Sequence, residues 1–404
     1  MSPRVRRSAI FQIRPAVAAG ALVGRLLALS PGMMPRSALI TAVAGTVLTL
    51  IGIGIGAVIG MARDRLRDDR PRPVPGFWLG VGLLIVGSAV GLAARHELAV
   101  RSALGVPPIG VGWIVAATVV PVLTAAAVIA IRPRVLLTAA AATVLVTSAI
   151  GLSGPAVATA PSVPDSAAML YGPLTEPGSF AQRADRLVSR WVAAGGLAER
   201  AVVVAVPTGS GWVDAGTVEG ARRHFDGSVR VLALQYDDVA SWKAFVSSPA
   251  RAGDSATALV AAVARRIDRS PQTQRPQMYL AGQSLGAVGA DAARRWARRT
   301  GVDLAGTVLA GPPAGTIEEV PACERRVVLA NDDDPVTAFG VSLLWRPIDH
   351  RPWLPVASLL ATALDLPAAL SVSTGHGHRY GLEQGLAFGD LPPGCQPIGP
   401  RAAS

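Results

Sequence analysis

The sequence predicts two unlike parts in one chain of 404 residues: an α-helical transmembrane bundle of four or five helices, then an α/β domain with a mostly parallel sheet and helices on both faces. Three observations predict this. Long uncharged apolar runs fill the first 152 residues, and short β-branched runs alternate with helical stretches beyond residue 190. The net charge of +11 is also unevenly spread: residues 1–160 hold 15 Arg against four acids, whereas residues 161–404 hold 23 basic and 23 acidic side chains. Half of the residues are hydrophobic, a balance that fits membrane segments better than a soluble enzyme. Charge confined to the ends of apolar runs is a topology signal; a nucleic-acid binder would gather it on one folded face.

Runs 38–60, 76–94, 109–131 and 135–152 carry no charged residue. Roughly 20 apolar residues at about 1.5 Å each match a hydrocarbon core of about 30 Å. They lack the polar stripe of a soluble core helix. A fifth run, 15–34, is apolar but holds Arg25, and fits a span whose Arg faces the bundle, an interfacial helix or an uncleaved signal-like segment. Arg4, Arg6, Arg7 and Arg14, then Arg63, Arg65, Arg67, Arg70 and Arg72, then Arg132 and Arg134 fall on one side of a five-span bundle. Only Arg36, Arg95 and Arg101 fall on the other, so the chain after Leu152 is expected outside the cytoplasm.

The expected domains are a membrane bundle over 1–152, a proline-rich exit linker over 153–189 and a catalytic domain over 190–404. Cys323 and Cys395, the two cysteines, lie in the last of these, where a disulfide is expected ahead of two free thiols. Neither has metal-ligand spacing, and no metal or cofactor is expected.

Continuous apolar runs at 201–206, 229–234, 278–281, 307–310 and 326–330 predict buried parallel strands, with helices over 256–267 and 290–299. Between strand 278–281 and helix 290–299 stands Gly282-Gln283-Ser284-Leu285-Gly286. A G-x-S-x-G in a strand–turn–helix setting is a nucleophile elbow: the turn exposes the serine, and the helix aims its first amides at a developing oxyanion. The same pattern outside that setting is an ordinary glycine-rich loop.

An elbow needs an acid and then a base later in the chain. Strand 326–330 leads into Asn331-Asp332-Asp333-Asp334-Pro335-Val336, where Asp334 is the expected acid because Pro335 stiffens the chain after it. Asp332 and Asp333 read as a solvated turn. Gly375-His376-Gly377-His378-Arg379-Tyr380 supplies the base, with His376 the first choice and His378 equally compatible. A paired-His metal site would need a third ligand that the sequence does not offer. His96, His224 and His350 lack comparable context. The oxyanion donors are expected to be the amide of Leu285 and that of Thr208 or Gly209, in the turn Pro207–Trp212. A phosphate-binding loop is excluded there, because no G-x-x-x-x-G-K-[ST] exists. Residues 345–370, rich in Trp, Pro and Leu, read as a cap over an apolar pocket or as core packing.

Taken together, these residues resemble the bacterial membrane-anchored α/β-hydrolase family, in which a multi-helix membrane domain precedes the catalytic domain. The likeness rests on Ser30-Pro31-Gly32-Met33-Met34-Pro35-Arg36, Pro207-Thr208-Gly209-Ser210-Gly211-Trp212-Val213, Leu234-Gln235-Tyr236, the Ser284 elbow, Asn331 to Val336, Trp353-Leu354-Pro355 and Gly375 to Tyr380. It implies an α/β-hydrolase fold and a triad of Ser284, Asp334 and a histidine of the Gly375 loop. The acidic run is longer here than the family's simpler Asn-x-x-Asp-Pro. The resemblance implies no particular substrate.

The expected activity is hydrolysis of an ester, lipid-like in view of the membrane setting, with the lipid bilayer and a small-molecule or lipid-like substrate as partners and no nucleic acid. Acyl transfer to an envelope acceptor and a catalytically idle scaffold or sensor are the alternatives. A transporter is disfavoured because the spans lack charges apart from Arg25, and an intramembrane protease because Ser284 lies outside any span.

Overall fold

The computed structural model describes residues 13–66, 73–130, 168–248, 250–271, 275–347 and 352–394. The expected span 135–152 and Cys395 lie outside the described residues; Cys323 is disulfide-bonded. Two compact units divide the chain. One joins Met1–Pro155 to Val341–Val372, and the other joins Ala156–Gly340 to Ser373–Ser404.

In the first unit α1 covers Pro15–Ala28, α2 Ala38–Leu66, α3 Gly76–Ala103 and α4 Val111–Ala130. The last three are long and apolar enough to cross a membrane. Of the run 15–34 only the first 14 residues are helical, because Pro31 and Gly32 end it. At about 1.5 Å per residue that is roughly 21 Å, short of a full span. α1 and α2 touch backbone to backbone: a Cβ at Gly20 would meet the Gly52 carbonyl at 2.0 Å, and one at Gly24 the Leu48 carbonyl at 2.0 Å. Only glycine permits such an approach between helices. Arg25 is 3% exposed and donates to the Ala117 carbonyl. Pro121, four residues on, has no N–H for that carbonyl, so the arginine supplies the donor that proline withholds.

The segment expected as a cap belongs to this helical unit. Its helix, Pro355–Asp365, ends on a fully buried carboxylate that pairs with Arg36 at 3.1 Å. Ala368 and Val372 pack with Met34 and Leu104.

The second unit is built on a six-stranded sheet, all pairings parallel, in the order β1-β3-β2-β4-β5-β6. The strands are β1 Met169–Gly172, β2 Ala201–Val206, β3 Val229–Leu234, β4 Gln277–Gln283, β5 Gly306–Ala310 and β6 Arg326–Leu329. β1 corrects the expected linker: with α5 (Phe180–Ala193), part of 153–189 is ordered domain, capped by a reciprocal Ser179–Gln182 box. Every residue of β2 is buried, as a central strand with helices on both faces requires. Val202, Val204 and Val206 face α5, α6 (Ala250–Asp268) and α7 (Leu285–Thr300), packing on Leu187, Trp191, Leu259 and Ala290. Ala201, Val203 and Ala205 face the other way, onto Val218, Phe225 and Phe388. The period of two along β2 thus serves both layers. The chain leaves β2 toward β3 on one side and leaves the neighbouring β4 toward β5 on the other, so a crevice opens at the carboxyl ends of β2 and β4.

Candidate active site

Ser284 stands at that crevice, directly after β4 and as the N-cap of α7. Its backbone has φ 56 and ψ −123, a conformation costing on the order of 1–3 kcal/mol for a residue with a Cβ. The flanking glycines explain how the turn closes. A Cβ at Gly282 would lie 2.2 Å from the Gly286 carbonyl, and one at Gly286 would lie 2.2 Å from the Val206 carbonyl. The Ser284 amide is anchored to the Ala310 carbonyl at 2.9 Å, while its side chain is half-buried and reachable. Leu285 begins α7, and a first-turn amide has no intrahelical acceptor.

The two expected loops meet, and the structure pairs each of their histidines with a different aspartate. Asp334, 1% exposed, accepts the Val336 amide on Oδ1 at 2.8 Å. Its Oδ2 accepts His378 Nδ1 at 2.7 Å and the Tyr380 hydroxyl at 2.7 Å. His378 is 6% exposed, and its Nε2 is buried without a hydrogen-bond partner among the described residues. His376, whose side chain is 42% exposed, pairs with Asp333 at 2.9 Å. The two acids therefore each take one histidine: an outer pair at the surface and an inner pair within the fold. The first choice of His376 as partner of Asp334 is corrected by this pairing.

Two links bring the inner pair to the elbow. Gly311, at φ 52, follows the Ala310 that holds the Ser284 amide, and a Cβ there would lie 2.6 Å from His378 Cε1. Gln283, beside Ser284, donates its amide to the His378 carbonyl at 3.2 Å. Asn331 clamps the same loop, donating to the Gly377 carbonyl at 2.9 Å. Burial, reinforced by the Asp334 charge, pushes the Tyr380 hydroxyl well up, so it stays a proton donor. Tyr380, Gln283 and Gly311 were not singled out in the sequence, although the first two sit inside the recognised motifs.

The residues expected to supply the second oxyanion amide are placed less simply. Thr208 and Gly209 follow β2 at the crevice, but the Thr208 amide donates to the Trp212 carbonyl at 2.9 Å and the Gly209 amide to Ser241 Oγ at 3.2 Å. A small cavity lies beside them, lined by Thr208, Trp212, Asp214 and Gln283. Among the described residues, no group of three or more His, Cys, Asp or Glu could hold a metal ion.

Residues 169–336 match the model of a family described as the alpha/beta-hydrolase family. No curated protein and no solved structure matches the chain. The matched stretch runs from β1 through the Ser284 elbow to the acidic turn. Sheet, elbow and match define an α/β-hydrolase-fold domain, preceded in the chain by three helices long and apolar enough to cross a membrane.

Proposed function

We propose that the protein is a membrane-anchored serine hydrolase acting on an ester, lipid-like in character, with Ser284 as nucleophile, His378 as base and Asp334 as acid. The observation that carries this reading is the inner pair: a buried imidazole bound through Nδ1 to a buried carboxylate, with Nε2 unpartnered, next to a strained serine turn. In the proposed reaction His378 Nε2 takes the Ser284 proton as Oγ attacks the carbonyl carbon. Asp334 fixes the tautomer and stabilises the imidazolium. The carbonyl oxygen, now charged, is held by the Leu285 amide at the start of α7. Thr208 or Gly209 would have to release its present acceptor to supply the second amide. Collapse of the tetrahedral species expels the alcohol, protonated by His378, and leaves an acyl-serine. Water attacks next and His378 accepts its proton; collapse of the second tetrahedral species breaks the acyl–Oγ bond, releases the carboxylic acid and returns that proton from His378 to Ser284. The acceptor in that second step decides between hydrolysis and acyl transfer, and product analysis with candidate acceptors separates them.

The arginine asymmetry around the apolar helices supports a multi-pass anchor with the catalytic domain outside the cytoplasm. The test of the activity is labelling of the full chain by a fluorophosphonate, wild type against Ser284→Ala. Labelling lost in the variant supports the reading. Absence of labelling in folded wild type removes it and favours a catalytically idle hydrolase-fold scaffold.

A further inference from the structure

β4 ends at Gln283, directly before Ser284. The period of two that turns Tyr279 and Ala281 to one face of the sheet, and Leu280 to the other, turns Gln283 with the first two. On that face its Nε2 donates to the His378 carbonyl at 3.2 Å. Gln283 is 6% exposed, so little solvent competes for the bond.

The histidine loop is also gripped by the acidic turn. Asn331 Nδ2 donates to the Gly377 carbonyl at 2.9 Å, the Gly377 amide donates to Asp333 at 2.8 Å, and His378 Nδ1 bonds Asp334 at 2.7 Å. These bonds fix the imidazole against its acid. None of them reaches the elbow, so they do not set how far His378 Nε2 lies from the serine. Gly311 leaves room for the ring without holding it. The Gln283 bond is different in kind, because it joins the base loop to the strand that ends at the nucleophile.

The other end of the same carboxamide faces a second constraint. Gln283 Oε1 is buried and has no hydrogen-bond partner among the described residues. Gln283 also lines the cavity beside the Pro207–Trp212 turn, with the polar residues Thr208, Asp214 and Thr217 among the rest of its lining. The cavity is about 10 Å³, room for a single water, and its polar lining offers that water more than one partner. Turned over, the carboxamide would set its oxygen against the His378 carbonyl oxygen. A donor in the cavity therefore holds it in the productive sense.

We propose that Gln283 is the positioning residue that sets His378 against Ser284, and that the cavity holds one water donating to Gln283 Oε1. The proposal rests on the reading of Ser284 as nucleophile and His378 as base.

The test measures fluorophosphonate labelling rates on the full chain in detergent for wild type, Gln283→Leu, His378→Ala and the double variant, with thermal midpoints alongside. Gln283→Leu should label about ten- to hundredfold slower than wild type, the range that a base displaced by up to about 1 Å produces. Added to His378→Ala it should cost nothing further, because its whole effect passes through the imidazole. A merely structural glutamine would slow both backgrounds by the same factor, and that result overturns the proposal. Gln283→Leu that labels as fast as wild type overturns it too. No labelling of folded wild type removes the hydrolase reading and the proposal with it. Should Gln283→Leu disturb the fold, Gln283→Met, unbranched and of similar length, is read in the same cycle. A crystal structure of the full chain should show an ordered water hydrogen-bonded to Gln283 Oε1; a dry cavity, or a protein donor on that oxygen, overturns the bridge.

Discussion

Replacing the two histidines one at a time separates the inner pair from the outer one. His378→Ala removes the imidazole bound to Asp334 while leaving that carboxylate the Tyr380 hydroxyl and the Val336 amide. The acid keeps two donors, so the fold should survive and the loss should fall on chemistry. Removal of a positioned general base costs about 10²–10⁴-fold in rate. His376→Ala breaks an exposed pair with Asp333, whose other oxygen still accepts the Gly377 amide at 2.8 Å. Exposed pairs are worth about 0–1 kcal/mol, at most roughly fivefold in any coupled rate. The assay is the pseudo-first-order rate of fluorophosphonate labelling on the full chain in detergent, with thermal midpoints measured alongside. The expected order is wild type close to His376→Ala, with His378→Ala far below both and all three folded. The reverse order would refute the assignment of the base. Equal labelling of both variants would refute any histidine base in the reaction.

Tyr380→Phe removes one donor to the buried Asp334 charge, and a hydrogen bond to a charged group is worth about 1.5–3 kcal/mol. The labelling rate should fall by roughly ten- to hundredfold, and the effect should vanish in an Asp334→Asn background, a coupling that a merely structural role would not produce. Asp365→Asn leaves Arg36 without its carboxylate partner, a loss of about 3–5 kcal/mol for a buried pair. The denaturation midpoint in detergent should drop, and Arg36→Met added to it should recover part of the loss. Burial, with some help from Glu383, raises the Asp214 carboxyl above the ordinary aspartate range. Folded protein then binds more protons than unfolded protein above that range, so this group's contribution is present at low pH and is lost as pH climbs through the raised value. Chemical denaturation across that window should show Asp214→Asn gaining on wild type as pH rises, and a constant difference would refute the shift.

The central sheet was legible because burial on both faces writes a continuous apolar run. Ala201–Val206 and Val229–Leu234 were found to the residue. β1 escaped because it is four residues long, pairs with β3 at one edge of the sheet and lies in a proline-rich stretch. The elbow was legible because its glycines are forced by contacts with the Val206 and Gly286 carbonyls, and those contacts leave a pattern in sequence. The choice of histidine was not: His376 and His378 have nearly the same neighbours, and only burial against Gly311 and Asp334 distinguishes them. The place of residues 345–370 was not legible either. An apolar segment looks alike whether it covers a pocket or packs on helices, and the Arg36–Asp365 pair that decides it spans 329 positions.

That pair also bears on what counts as a domain in this chain. Asp334 and His378 lie on either side of a segment that folds with the helices, so the chain joins the helical unit between the two members of the buried pair. A cut after Pro155 would therefore not release a self-contained sheet domain. It would strip Asp365 of Arg36, and Ala368 and Val372 of Met34 and Leu104. What remains is an apolar segment whose covered face is opened to water, the kind of exposed patch that drives association. A fragment of residues 156–404 should express poorly or aggregate, whereas the same fragment with 341–372 replaced by a flexible linker should gain solubility. Size-exclusion profiles and thermal midpoints of the two fragments check this. An intact 156–404 fragment that is monomeric and labels as fast as the full chain would show that the segment needs nothing from the helices, and the helices would then be an anchor and no more.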